Sequence, residues 1–341
     1  MKLMWPKKRQ THEGFVMLML VALVAAAVIA AAWLVAAQRL KNDPPPELPP
    51  TAPQAKTVSI AAVGDIACSP NYELFNGGEG AQGACQHKKV AAAIKQARAD
   101  ALLLLGDIQY SYGDYEEYVK SFVPAFRDVG SPIIAAAGNH EYQRGNAAGY
   151  FKAFATFFPS AKYLVDGKTY FATTLGQWRV IVLDSDCEYV GGCDGASPQY
   201  KWLSKELSSS SAKCTLAMWH HPVITSGEHK ENASTGRAKE MFRLLIDKRA
   251  DVVLSGHDHN YERFGRHLAD GRPDPAGIRS FVVGTGGQSL YGFKQPLLPA
   301  HQAGLDNVYG YLKMLLKPDA YDWQFVDVSG TVRDRGSDSC V

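Results

Sequence analysis

The 341-residue sequence predicts an α/β layered fold built on a mixed β-sheet, set behind one N-terminal membrane-spanning helix. Short apolar runs alternate with helical patterns along much of the chain, the ordering expected of strand–helix–strand units. Gly176-Gln177 separates two β-rich segments with the two-residue spacing of a type II′ hairpin, so antiparallel pairing joins the parallel strands. Near the start, residues 15–37 form a 23-residue run without a charge.

Taken in order, residues 1–14 form a basic N-terminus, with Lys2, Lys7, Lys8 and Arg9 ahead of the apolar run. As a helix, residues 15–37 would extend about 34 Å, enough to cross the hydrocarbon of a bilayer. A cleavable signal peptide is the alternative, but the run is long for an h-region, so an uncleaved signal anchor is preferred. The four basic residues before the span, against Arg39 and Lys41 after it, place the N-terminus in the cytoplasm and everything beyond outside it, periplasmic or extracellular. Cleavage would make the product secreted. Residues 38–56 are Pro-rich and read as an extended spacer, leaving 57–341 as the globular domain.

Within that domain, strands are expected at 58–63, 101–105 and 132–137, with helices at 87–99 and 115–127 between them. The hairpin 170–175/178–184 follows. Ser197-Pro198 then supplies a cap and a first-turn proline for a helix through Leu207. A strand at 214–219, a helix at 237–248 and a strand at 251–255 repeat the unit, and the tail reads as β at 279–283, 311–316 and 321–328.

The first 56 residues hold seven of the 36 Lys/Arg and three of the 34 Asp/Glu, so the domain carries 29 basic against 31 acidic residues. No basic surface suited to nucleic acid results. Cys68, Cys85, Cys187, Cys193, Cys214 and Cys340 all follow the span, as extracytoplasmic disulfides would. Six cysteines allow about 15 pairings. Cys68 with Cys85 and Cys187 with Cys193 each close a Gly-rich loop, which leaves Cys214 for Cys340.

Five segments carry the chemistry: Gly64-Asp65, Gly106-Asp107-Ile108-Gln109-Tyr110, Gly138-Asn139-His140-Glu141, Trp219-His220-His221-Pro222 and Gly256-His257-Asp258-His259, each following a strand-like run. Carboxylate and phenol oxygens suit a hard, highly charged cation, whereas imidazole and an amide carbonyl suit a borderline divalent one. A lone Gly-Asp is an ordinary turn, and a lone His-x-His can be a solvated loop. All seven ligand types in order behind strand ends point instead to a two-metal phosphoester hydrolase. Glu141 is as readily a surface residue as a support for His140, and Gly284-Thr285-Gly286-Gly287 lacks the Lys-Ser/Thr of a P-loop.

This set, spread over residues 58–328, resembles the calcineurin-like metallophosphoesterases, and Tyr110 three residues after Asp107 resembles their purple acid phosphatase branch. The resemblance implies a sandwich of two mixed β-sheets flanked by helices. It implies one metal on Asp65, Asp107, Tyr110 and His259, and a second on Asp107, Asn139, His220 and His257. It further implies Fe(III) at the Tyr110 site, with Fe(II), Zn or Mn at the other, and gives His140 and His229 roles in gripping phosphate and protonating the leaving oxygen.

A small phosphorylated substrate and in-line attack by a metal-activated hydroxide are the expected chemistry. Ala67 stands where many diesterases of the superfamily carry a metal-binding His, so an acid-phosphatase-like phosphomonoesterase is expected. The alternative is a phosphodiesterase acting on nucleotides, lipid headgroups or wall polymers. A metal-stabilised receptor without turnover is a third possibility, disfavoured by the complete ligand set.

Overall fold

The computed structural model describes residues 12–42, 56–232 and 235–341. The chain divides into two units, one through Gln54 and one from Ala55 onward, each described by itself. The first contains α1 (His12–Asn42), whose segment Met19–Arg39 is long and apolar enough to cross a membrane. Its large side chains Met19, Leu23, Ile29, Trp33 and Leu34 are all exposed. Most of the expected spacer, residues 43–55, and most of the basic N-terminus lie outside the described residues.

The second unit begins with β1 (Val58–Val63), α2 (His87–Ala97), β2 (Ala101–Leu105), α3 (Tyr115–Lys120), α4 (Phe122–Phe126), β3 (Ile133–Ala136) and α5 (Ala148–Phe157). The hairpin of β4 (Phe171–Leu175) and β5 (Trp178–Val182) follows, then α6 (Pro198–Ser209), β6 (Cys214–Met218), α7 (Lys239–Asp247) and β7 (Val252–Ser255). The chain closes with β8 (Tyr261–His267), β9 (Ile278–Val283), β10 (His301–Leu305), β11 (Gly310–Leu316), β12 (Ala320–Asp327) and β13 (Val332–Ser339).

These strands form two mixed sheets, ordered β13-β12-β11-β1-β2-β3 and β10-β8-β9-β7-β6-β5-β4. Side chains alternate between the faces of a strand, so one run serves two cores. Ile60, Ala62, Leu103 and Leu105 meet Val180, Leu216, Met218 and Leu254 between the sheets. Ala61, Val63, Leu102 and Leu104 instead pack under α2–α5, while Ile181, Ala217 and Val253 pack under α6 and α7. Burial on both faces makes these central strands continuously apolar. Because β1, β2 and β3 are mutually parallel, as are β5, β6 and β7, the loops leaving the carboxyl ends of each set emerge on one edge.

Three departures from the expected elements have local causes. The helix expected over 115–127 breaks at Ser121 (φ −126°, ψ −71°), where Ser121 Oγ donates to the Cys68 carbonyl. Pro124, three residues further, has no N–H to continue the ladder. The helix expected over 87–99 stops at Ala97 because Arg98 is left-handed (φ 47°). Strands β8, β10 and β13 and helix α5 were not expected. The edge strand β13, Val-Arg-Asp-Arg-Gly-Ser-Asp-Ser, has Val332 as its one large apolar side chain, and α5 starts from Ala147 at φ 54° without a side-chain cap.

Three disulfides join Cys68–Cys85, Cys187–Cys193 and Cys214–Cys340. The last connects the start of β6 in one sheet to the residue after β13 in the other, across 126 residues of sequence.

Two buried histidines outside the strand-end loops require neutrality. His267 donates from Nδ1 to the Leu268 carbonyl (2.8 Å), accepts at Nε2 from Ser280 (2.6 Å) and stacks on Phe242. Burial pushes it down to about 4, and burial with neighbouring Lys88 does the same to His87. The unfolded chain protonates these rings near the ordinary 6.5, so it binds more protons than the native state between pH 6.5 and 4. Stability is therefore expected to be flat on this account above about pH 6.5 and to fall below it, by roughly 3 kcal/mol per ring at most. Urea unfolding across this range should show the loss, and His267→Gln should reduce its slope by about one proton.

Candidate metal centre

Backbone conformation at the strand ends does the first part of the work. Asp65 (φ 60°), Asp107 (φ 46°) and His257 (φ 73°) all occupy the left-handed region, which costs a non-glycine residue on the order of 1 kcal/mol or more. The loop after β1 pairs with the loop after β2 through Asp65 N to Gly106 O, Ile66 N to Asp107 O and Ala67 N to Ile108 O. Gly106 is needed for its own φ of +84°. Gly138 is needed for space, since a Cβ there would lie 2.4 Å from Asp107 N and Oδ1. At Gly64, expected to turn the chain sharply, the constraint is again close packing: a Cβ would stand 3.1 Å from that of Leu105.

Each carboxylate has one oxygen tied and one free to face inward. Asp65 Oδ2 accepts the His257 amide and Asp107 Oδ1 accepts the His140 amide, both at 2.8 Å. The remaining oxygens turn toward Tyr110, whose Oη lies 2.9 Å from Asp65 Oδ1, 3.1 Å from Asp107 Oδ2 and 2.9 Å from His259 Nε2. His259 contacts the Ser289 carbonyl through Nδ1 (2.7 Å), so a neutral ring carries its lone pair on Nε2. One phenolic proton thus faces three acceptors.

Asp107 Oδ2 also lies 3.1 Å from His220 Nε2, while His220 Nδ1 contacts the Leu105 carbonyl at 2.9 Å. Neither His220 Nε2 nor the buried Asn139 Oδ1 has an aligned hydrogen-bond partner. His257 and Asn139 line a cavity of about 420 Å³ with Tyr142, Asp186, His221 and His229. A larger groove of about 630 Å³, bordered by Thr174, Arg179 and Glu206, has no comparable convergence of ligands.

Thus Asp65, Asp107, Tyr110 and His259 are in direct contact, His220 joins at Asp107, and Asn139 and His257 border the same cleft. The ion pairs of Asp65 and Asp107, among the described residues, are with histidines alone. Burial opposes charge on His220, yet Asp107, Asp65 and Asp186 push it up to about 10. Burial raises the Tyr110 phenol well above its ordinary value, with Asp107 and Asp65 adding to the shift. Crowded oxygen and nitrogen lone pairs, with two buried atoms lacking aligned partners, fit cations as the missing charge.

The remaining groups support or flank this set. His140 Nδ1 contacts the Ser111 carbonyl at 2.6 Å and its Nε2 is 3.8 Å from Asp107 Oδ2. His229 Nδ1 contacts Asp258 Oδ1 at 3.0 Å, and that bond raises its pKa against the opposing effect of burial. Three residues in this shell, Asp258, Asp186 and His221, were given no role from sequence, and Glu141 was left between a surface position and a support for His140. The possibility of a surface position for Glu141 is overturned, because it is 1% exposed. Its Oε1 accepts from Ile108 N (3.0 Å), Gln109 N (3.3 Å) and Tyr118 Oη (2.9 Å), and its Oε2 accepts from Gly138 N (2.8 Å). It clamps the Asp107 loop to the Asn139 loop. Only its place directly after Asn139-His140 could have signalled this.

A sequence model of the calcineurin-like phosphoesterase family matches residues 58–261. The chain is 26% identical over 264 residues to purple acid phosphatase 22 of Arabidopsis thaliana, covering 73% of this chain and 55% of that protein. It is 26% identical over 310 residues to tartrate-resistant acid phosphatase type 5 of Mus musculus, covering 82% and 89%. Purple acid phosphatase PPD1 from yellow lupin (Lupinus luteus) shares the fold, with a TM-score of 0.69 at 19% identity over 84% of this chain and 54% of that one. The chain spans about half the length of these two plant proteins.

Removing the Glu141 clamp strands four buried donors, each worth about 1–3 kcal/mol when unsatisfied. Glu141→Ala is expected to destabilise the domain by several kcal/mol and to weaken metal retention about 10–100-fold. Glu141→Gln should lose less of both. Urea unfolding and chelator competition measure the two effects.

Proposed function

Because the chain belongs to the calcineurin-like phosphoesterase family, we propose that it is a metal-dependent phosphoric ester hydrolase, specifically a two-metal phosphomonoesterase. The observation that carries this is the meeting of Asp65 Oδ1, Asp107 Oδ2 and His259 Nε2 around one phenol oxygen, with His220 Nε2 at that same Asp107 oxygen. Asp65, Asp107, Tyr110 and His259 would hold one cation; Asp107, Asn139, His220 and His257 would hold the other. The pair, when bound, supplies positive charge to phosphoryl oxygens and acidifies water for in-line attack.

The protein's own groups then orient substrate and move a proton. His140, held at Ser111, borders the site beside Asp107 and binds a phosphoryl oxygen. His229 is the proton donor: Asp258 occupies Nδ1 and favours the charged ring, so Nε2–H faces the leaving oxygen and transfers its proton as the P–O bond breaks. The Tyr110 phenol, surrounded by acceptors, is suited to bind as phenolate to a hard trivalent ion, with Fe(III) there and Fe(II), Zn or Mn at the second position.

The apolar helix and three disulfides are consistent with a membrane-anchored or secreted protein. We infer the anchored form, with the catalytic domain outside the cytoplasm and acting on small phosphate esters.

Asp107→Asn and Asn139→Ala should each lower kcat/KM on p-nitrophenyl phosphate by about 100-fold or more; full activity in both would end the assignment. Faster hydrolysis of bis(p-nitrophenyl) phosphate than of the monoester would make the chain a phosphodiesterase. His229→Asn should cost about 10²–10⁴ in kcat on alkyl phosphates and far less on p-nitrophenyl phosphate, whose leaving group needs no proton. A visible Tyr-to-iron charge-transfer band should be present in the iron-loaded protein and lost in Tyr110→Phe.

A further inference from the structure

His221 belongs to neither expected ligand set, yet it lies inside the cleft. Its ring centroid is 4.3 Å from that of His257 and 5.0 Å from that of His220, and one nitrogen from each of the three rings falls within 4.8 Å of the others. Two nitrogens sharing an ion are at most about 4.2 Å apart, given metal–nitrogen bonds of about 2.1 Å. The triad is inside that limit or within about 0.6 Å of it. All three side chains are buried, so this is not a solvated histidine patch.

Two further observations point to a cation. Asp186, 1% exposed and lining the same cavity, has an Oδ2 without a hydrogen-bond partner, 3.9 Å from His221 Nδ1. A buried carboxylate oxygen without a partner is costly unless positive charge lies nearby. Ser185 Oγ accepts the His221 amide and stands 2.9 Å from Nδ1. A hydroxyl has two lone pairs, so Ser185 can also accept Nδ1–H, which leaves the Nε2 lone pair as the ligand.

We propose that His221 is an additional imidazole ligand of the second cation position, with Asp186 as its counter-charge. That position then draws on three imidazoles, whereas the first is dominated by Asp65, Asp107 and Tyr110 oxygens. Imidazole suits zinc, and carboxylate and carbonyl oxygens suit manganese, so the third ring tilts the second position toward Zn(II) over Mn(II).

This rests on the two-cation site proposed above, and a metal titration separates the two ideas. Detergent-solubilised full-length protein is stripped of metal and titrated with Zn²⁺, Mn²⁺ and Co²⁺ by calorimetry and visible absorption. Wild type is expected to bind two ions. His221→Gln and His221→Phe should weaken the second Zn²⁺ about 10–100-fold, reduce the Zn²⁺/Mn²⁺ preference and change the Co²⁺ ligand-field spectrum, with Asp186→Asn doing so to a smaller degree. Circular dichroism melting selects whichever His221 variant remains folded. Fewer than two ions in wild type overturns the two-cation site itself. Two ions bound as tightly by the folded variant, with an unchanged Co²⁺ spectrum, overturns only the role of His221. Unchanged metal affinity with weaker binding of inorganic phosphate also overturns it, because the ring would then hold its proton on Nε2 and donate to substrate.

Discussion

Asp107 is where the two sheets meet chemically. Its backbone leaves β2 in the left-handed region, one carboxylate oxygen is fixed by the His140 amide, and the other faces both Tyr110 and His220. His220 arrives from the end of β6 in the opposite sheet and is braced on the Leu105 carbonyl at the end of β2. One carboxylate and one imidazole therefore join the two sheets at the edge that carries the candidate metal centre. The glycines at 106 and 138 let these side chains approach so closely.

Around this pair the protein accumulates buried acids and phenols. Asp65, Asp107, Asp186, Asp258, Glu141 and Glu262 are all nearly or wholly inaccessible. Some are satisfied by hydrogen bonding: Asp258 by His229 and Thr225, Glu141 by backbone amides and Tyr118. Asp65 and Asp107 keep an oxygen each for the centre. Those two oxygens stay available because neighbouring acids such as Asp258 and Glu141 find their partners elsewhere.

The central strands were legible to within a residue or two, since burial on both faces leaves a continuous apolar signature at 58–63 and 101–105. The convergence of Asp65, Asp107, His220 and His259 was legible because Asp and His gain little from leaving an apolar run unless they meet. The breaks were not: Ser121 interrupts a helical pattern through a bond to Cys68, a partner 53 residues away. Strand β13 escaped notice because an exposed edge needs no apolar alternation. Glu141 and His221 sat beside expected ligands, but their surroundings depend on amides and rings brought together only by folding.

The Cys214–Cys340 bridge gives the domain a covalent closure unrelated to its chemistry. It encloses most of the second sheet, including the loop at 284–300 and the residues that deliver His220, His257 and His259. A protease cutting once anywhere inside that ring leaves both pieces attached. A nicked molecule would keep together the strands that carry His220, His257 and His259.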